Sequence, residues 1–211
     1  MDAEFFRAWI AEIAAVVEVQ RDHLTQLDSA IGDADHGINL ARGFSAVQAA
    51  LAAADTPTPG SVLLLTGSTL ISKVGGASGP LYGTAFRRAA KSFGDKPEVG
   101  LPELADALAA ALEGVKKLGA ATEGEKTMVD VLAPAVAAFS KAVSEGAAAS
   151  AAFVVLTDTA DTASHDTIEM QARKGRASYL GPRSVGHEDP GAASSALMLH
   201  ALRDVAARQA G

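Results

Sequence analysis

Apolar residues recur at helical spacing through most of the chain. Phe5, Trp9, Ile13, Val16 and Val17, with Glu12, Glu18 and Arg21 between them, predict an amphipathic helix ending near Leu27. A second helix is expected from Ile38 to Ala54, stopped by the breaker segment Asp55-Thr-Pro-Thr-Pro-Gly60. Ser61 to Lys73 is partly β-branched, but its length and leucine content favour helix. Pro80 to Ser92 reads as a helix with proline in its first turn. Leu101 to Leu118 follows, with Gly119 as its C-cap. Thr127 to Ser144 is next, and Pro134 inside it predicts a kink or a late start. Gly146 to Gln171 reads as one long helix. Its run Phe153-Val154-Val155-Leu156 resembles a strand but has no second run to pair with. Lys174 to Pro190 is a glycine-bearing loop, and a last helix runs from Gly191 to Gln209. About eight helices joined by short connections predict an all-α fold with antiparallel neighbours, in one domain over residues 1–211.

Composition narrows the chemistry. The 211 residues are 48% hydrophobic and only 5% aromatic, so alanine and the aliphatics must build the core. The net charge of −7 argues against a general nucleic-acid binder, whose affinity rests on cationic neutralisation of phosphates. Two local basic clusters remain, Arg87-Arg88 and Arg173-Lys174-Gly175-Arg176. Each suits a phosphorylated ligand or an acidic partner, or is simply a solvated helix end. Cysteine is absent, which removes disulfides and thiolate chemistry. The opening Met-Asp-Ala-Glu is acidic where a signal peptide is basic, and no apolar run is long enough to span a bilayer. A soluble cytoplasmic protein is expected, with no membrane or nucleic-acid partner.

The densest chemistry lies at Asp28 to Gly43, where Asp28, Asp33 and Asp35 crowd three carboxylates at i, i+5 and i+7. Like charges in one site are unfavourable unless neutralised. A hard divalent cation with oxygen ligands does this, so a Mg2+ site on a loop feeding a helix is the first expectation. A polar N-cap loop is the plainer alternative. An EF-hand is excluded, because its required glycine and glutamate positions hold Ile38 and Phe44. Gly75-Gly-Ala-Ser-Gly-Pro80 is a candidate phosphate cradle, with glycine backbone, a serine hydroxyl and a following helix N-terminus. It is neither a Walker A loop nor a dinucleotide fingerprint. Taken alone it also reads as a tight interhelical turn. Lys174 to Gly191 is a long polar stretch in which Arg176 suits phosphate, and Asp189-Pro190 has the character of an N-cap followed by the first helical position. One anionic loop and two anion-accepting loops, each preceding a helix, are what a Mg-nucleotide needs.

These residues resemble a known family. Ile31-Gly-Asp-Ala-Asp-His-Gly37, Gly75 to Pro80, Glu125-Lys-Thr-Met128, Met170 to Gly181 and Gly186-His-Glu-Asp-Pro-Gly191 are similar to the L subunit of dihydroxyacetone kinase, over essentially the whole chain. The resemblance implies an eight-helix antiparallel barrel with a nucleotide site at one rim. Asp28, Asp33 and Asp35 would hold two Mg2+ ions bridging the phosphates of ADP or ATP. His36, Gly37, Ile38 and Asn39 would line the nucleotide, Ala77 and Ser78 would contact phosphate, and Gly119 and Met128 would border the adenine. Arg176, Asp189, Pro190 and Gly191 would close the site. No catalytic residue is assigned, and His36 is read as a nucleotide contact rather than a general base. The chain departs from the family pattern at Glu123-Gly-Glu125, where Pro-Gly-Asp precedes the lysine. The bacterial phosphotransferase-dependent form implies ADP held as a coenzyme and rephosphorylated by a phosphocarrier, the M subunit. A separate K subunit carries dihydroxyacetone, and the assembly is a homodimer or two K with two L chains. An ATP-exchanging kinase subunit for another ketose or tetrulose, and an apolar-ligand-binding helical barrel, are the alternatives.

Overall fold

The computed structural model describes residues 1–209. It contains α1 (Ala3–Val19), α2 (Arg21–Ile31), α3 (His36–Ala53), α4 (Pro59–Lys73), α5 (Ser78–Phe93), α6 (Leu101–Gly119), α7 (Met128–Ser144), α8 (Ala149–Asp166) and α9 (Pro190–Gln209). Two 3-10 segments, Thr167–Glu169 and Arg176–Ser184, lie between α8 and α9. Among the described residues there is no strand.

All helices but α2 form a closed circuit. α3 to α9 pack in chain order, α9 closes on α1, and α1 packs on α3. This is the expected barrel. The ninth helix arises because the first expected helix does not run to Leu27. It breaks at Gln20, and α2 turns to lie across α3 and α9. Neither glycine nor proline causes the break. The tertiary reason is Gly37, where an added Cβ would sit 2.0 Å from the Arg21 carbonyl oxygen. The start of α2 is therefore pressed onto the first turn of α3.

The α4–α5 pair uses glycine in the same way. A Cβ at Gly67 would lie 2.5 Å from the Gly83 carbonyl oxygen, and one at Gly60 would lie 2.3 Å from that of Gly94. Backbone meets backbone along this hairpin. The scarce aromatics fill one end of the barrel. Phe6 stacks against Phe93 at 5.1 Å and Trp9 against Phe86 at 5.6 Å, while the Trp9 indole donates to the Met198 carbonyl at 3.0 Å. One hydrophobic core draws residues from all nine helices.

Three further boundaries depart from expectation. α7 runs through Pro134 from Met128, because Thr127 caps it and accepts from Val129 N at 3.1 Å. The expected late start does not occur. α6 includes Gly119, and the left-handed turn falls on Ala120 instead (φ 46°). α8 stops at Asp166 rather than Gln171, since the carbonyls of Thr167, Ile168 and Met170 leave the helical ladder to accept from Lys126.

Candidate functional site

Four helices bring their N-termini to one end of the barrel. The His36 ring, in the first turn of α3, accepts or donates to Ser78 of α5 at 3.1 Å and to Ser194 of α9 at 2.8 Å. Tyr82 of α5 donates to the Gly191 carbonyl at 3.1 Å and meets Ser194 at 2.7 Å. A Cβ at Gly191 would touch Met128, the first residue of α7, at 3.6 Å. First-turn amides have no intrahelical acceptor, and each helix dipole is positive at this end. Four such termini at one pole make a field suited to a multiply charged anion.

The acidic loop stands beside this pole. Oxygen atoms of Asp28, Asp33 and Asp35 all lie within 4.8 Å of one another. Asp28 is buried, and its Oδ2 accepts from the amides of Asp35 at 2.9 Å and His36 at 3.1 Å. Its other oxygen, Oδ1, is the one that a Cβ on Gly32 would strike at 2.0 Å, so glycine is required there. Ala34, between the two other aspartates, takes a left-handed conformation (φ 60°). That backbone is unfavourable for an L-residue, and it turns Asp33 and Asp35 toward Asp28. Asp33 is half-exposed and pairs with Arg176 at 3.0 Å. Hard oxygen donors from three carboxylates on a preformed loop fit Mg2+, which prefers such ligands and keeps several waters.

The remaining expected residues fall into place around the pole with three qualifications. Ala77 and Ser78 open α5, and the glycine loop before them carries Gly76 at φ 66° with open space where a side chain would be. Asn39 lies next to Gly75, its Oδ1 fixed by Arg42 at 2.8 Å. A Cβ at Gly119 would make only ordinary contacts, with Leu81 at 3.4 Å and Ala121 at 3.8 Å. Gly37 is where the first qualification lies: its Cβ direction faces α2, and only its amide is available at the pole. Ile38 is largely exposed, at 49%. Asp189 is the N-cap of α9, accepting from Ala192 N at 2.8 Å, so its carboxylate is already engaged.

Burial sets the electrostatics. Burial lowers the His36 imidazole below its ordinary range, against the opposing charges of Asp28 and Asp35, so the ring is neutral at pH 7. Tyr82 is pushed up to about 12 by burial and stays protonated. Asp189 is pushed up to about 7 by burial, despite the Ala192 amide and the Lys126 charge. The departure at Glu123-Gly-Glu125 leaves the loop ordered. Glu125 accepts from Thr122 N at 2.8 Å, and its carbonyl accepts from Arg173 N at 3.0 Å.

Sequence reasoning missed Tyr82, Ser194, Asp130 and Lys126. Asp130 completes the Thr127-x-x-Asp130 capping box, accepting from Thr127 N at 2.7 Å, and that pattern is readable in advance. Lys126 carries no such signal, because lysine is ordinarily exposed.

Comparison with known proteins agrees with this geometry. The DAK2 domain family matches residues 30–204. The chain is 43% identical over 194 residues to the PEP-dependent dihydroxyacetone kinase, ADP-binding subunit DhaL, of Escherichia coli (strain K12), covering 92% of each. It is 41% identical over 201 residues to the ADP-binding subunit DhaL of PEP-dependent dihydroxyacetone kinase 1 of Listeria innocua, covering 95% of this chain and 96% of that protein. It is also similar in fold to the crystal structure of the dihydroxyacetone kinase from C. freundii in complex with AMP-PNP and Mg2+. There the TM-score is 0.72 at 24% identity, over 97% of this chain and 34% of that one.

Proposed function

The chain belongs to the DAK2 domain family, and on that premise we propose that it is the ADP-binding subunit of a dihydroxyacetone kinase, a phosphotransferase. The observation that carries the reading is the clustering of Asp28, Asp33 and Asp35 oxygens within 4.8 Å, beside four converging helix N-termini. The three aspartates would hold two Mg2+ ions, which would neutralise polyphosphate charge and act as Lewis acids. Asp28 would serve twice. Its Oδ2 fixes the amides that start α3, which leaves Oδ1 for a cation. The first-turn amides of α3 and α5, with Ser78, take the phosphates. Gly119 and Met128 border the base, and Asp189, Pro190 and Gly191 form the opposite wall.

Arg176 holds Asp33 in the structure. Both groups are partly exposed, so the guanidinium would give up Asp33 for a phosphate at little cost if that carboxylate served as a metal ligand. His36 is neutral and hydrogen-bonded on both ring nitrogens, so it orients Ser78 rather than taking a substrate proton. The chain supplies positioning and electrostatics, and little covalent chemistry.

The chain spans 92% of a relative named as a separate ADP-binding subunit, and this supports a partner-dependent enzyme. On that reading a K subunit carries dihydroxyacetone, and an M subunit of the phosphotransferase system rephosphorylates the ADP in the cytoplasm. The assembly is a homodimer or two K with two L chains. No helix among the described residues is long and apolar enough to cross a membrane. An apolar-ligand barrel is the less supported reading, since the aromatic pairs Phe6–Phe93 and Trp9–Phe86 fill one end of the interior. Native mass spectrometry of protein purified without added nucleotide tests the reading. Co-purified ADP with two magnesium ions is expected. An empty site that exchanges ATP freely would replace the coenzyme reading with that of an ATP-exchanging kinase subunit.

A further inference from the structure

Lys126 is 1% exposed, among the most completely buried large side chains of the protein. Its backbone is left-handed (φ 61°), an unfavourable conformation for lysine that aims the side chain inward. The ammonium donates to the carbonyls of Thr167 at 2.6 Å, Met170 at 3.1 Å and Ile168 at 3.4 Å, and to that of His187. Among the described residues no carboxylate is in ion-pair contact with it. Three N–H donors thus serve four acceptors. Three of those carbonyls follow the end of α8, where the helical ladder has stopped; Thr167 O and Ile168 O also accept from the amides of Met170 at 3.1 Å and Gly186 at 2.8 Å.

We propose that Lys126 is a positioning residue: its buried ammonium gathers these four carbonyls and so holds the arch of residues 167–191 against the pole. The arch carries Arg176 at one point and ends in Asp189, Pro190 and Gly191 at another. What it covers rests on the nucleotide reading above. How it is held does not.

The surroundings point the same way. The neighbouring Glu125 ties to the same arch through the Arg173 amide at 3.0 Å and the Lys174 ammonium at 3.9 Å. On the other side, Thr127 caps α7, whose Met128 abuts Gly191. Lys126 therefore sits between a fixed helix and a segment that contains no α-helix. Beyond these the arch is tied by Glu188 to Ser164 at 2.6 Å and by Arg176 to Asp33 at 3.0 Å, and internally by the Asp189 amide to Thr167 at 3.1 Å. A neutral side chain at 126 removes the donor from the Met170 and His187 carbonyls and the second donor from those of Thr167 and Ile168, leaving the Gly186 and Asp189 amides to hold the two ends of the arch together.

A merely structural lysine and a positioning one differ in where the damage appears. Hydrogen exchange read by mass spectrometry on Lys126→Met separates them, with Mg-ADP affinity measured by calorimetry on the same protein. The expected result is at least about tenfold faster exchange confined to residues 167–191, with α4 and α5 protected as in wild type. Mg-ADP should bind at least about tenfold more weakly. In Lys126→Ala, n-propylammonium should restore part of both. Unchanged exchange in the arch would overturn the proposal. So would loosening spread evenly over α4 and α5, wild-type affinity with a loose arch, or failure of both Lys126→Met and Lys126→Arg to fold. If the wild-type protein bound no adenine nucleotide, the functional reading would fall, while the exchange measurement would still decide the hold of Lys126 on the arch.

Discussion

Gly32→Ala should weaken metal-dependent nucleotide binding roughly a hundredfold while leaving the barrel folded. The added Cβ would lie 2.0 Å from Asp28 Oδ1 and 2.9 Å from its Cγ, so the carboxylate must swing away. Doing so breaks the two bonds its Oδ2 accepts, from Asp35 N at 2.9 Å and His36 N at 3.1 Å. Hydrogen bonds to a charged group are each worth about 1.5–3 kcal/mol, and part of this returns if water reaches the freed groups. A loss of about 3 kcal/mol in loop preorganisation corresponds to roughly a hundredfold weaker Mg-ADP binding. The loss falls on binding because the loop stands outside the core cluster. Calorimetric titration of Mg-ADP, with a thermal melt on the same sample, measures both. Gly146→Ala is the control, since it lies in the turn after α7, its Cβ would meet nothing within 4 Å and only its φ of 77° resists. Wild-type affinity in Gly32→Ala would refute the claim that the Asp28 carboxylate must stay where it is.

Asp33→Asn should remove Mg2+-dependent binding yet change stability by less than about 1 kcal/mol, because its pair with Arg176 is solvent-exposed; a melt and a titration check this. Gly67→Ala should destabilise by about 1–3 kcal/mol or more, lowering Tm by roughly 5 °C, because its Cβ would sit 2.5 Å from the Gly83 carbonyl, whereas Gly75→Ala, whose nearest atom is at 3.8 Å, should be neutral. Asp189 has a folded pKa of about 7 against 3.8 unfolded, so the folded state holds the extra proton. Its contribution is therefore fully present below 3.8 and is lost as pH rises toward 7, by up to about 4 kcal/mol. Asp189→Asn keeps the N-cap acceptor and should flatten that fall, read by urea unfolding at several pH values; an identical slope in both proteins would refute the assignment.

Much of the fold was legible because helix formation here is a local matter. Period, proline at first turns and capping residues place six of the helices within two or three residues. What was not legible depends on partners distant in sequence. The break at Gln20 has no local breaker and follows from Gly37 admitting the Arg21 carbonyl. The early end of α8 follows from Lys126, some forty residues upstream in the chain, taking its last carbonyls. The clustering of Asp28, Asp33 and Asp35 was readable because the three carboxylates fall within eight residues of one another. The convergence of the α3, α5, α7 and α9 N-termini was not, since it is a property of how the circuit closes.

The charge of the protein sharpens the problem that the site must solve. A chain of net charge −7 gains nothing from its overall field in holding a polyphosphate, and three clustered aspartates oppose it directly. On the proposed reading attraction would come from short-range, preformed sources: helix termini that need no counter-ion, a metal held by the carboxylates, and the Arg176 guanidinium now on Asp33. Such a site is weak for the free anion and strong for its magnesium complex, so metal removal should release the nucleotide. Release also requires the 167–191 arch to move, against Lys126, Glu188 and Thr167. Breaking several buried bonds together raises the barrier to dissociation more than it changes how the anion is met. A subunit whose nucleotide stays bound between turnovers needs that kinetic asymmetry, and a freely exchanging kinase would be slowed by it.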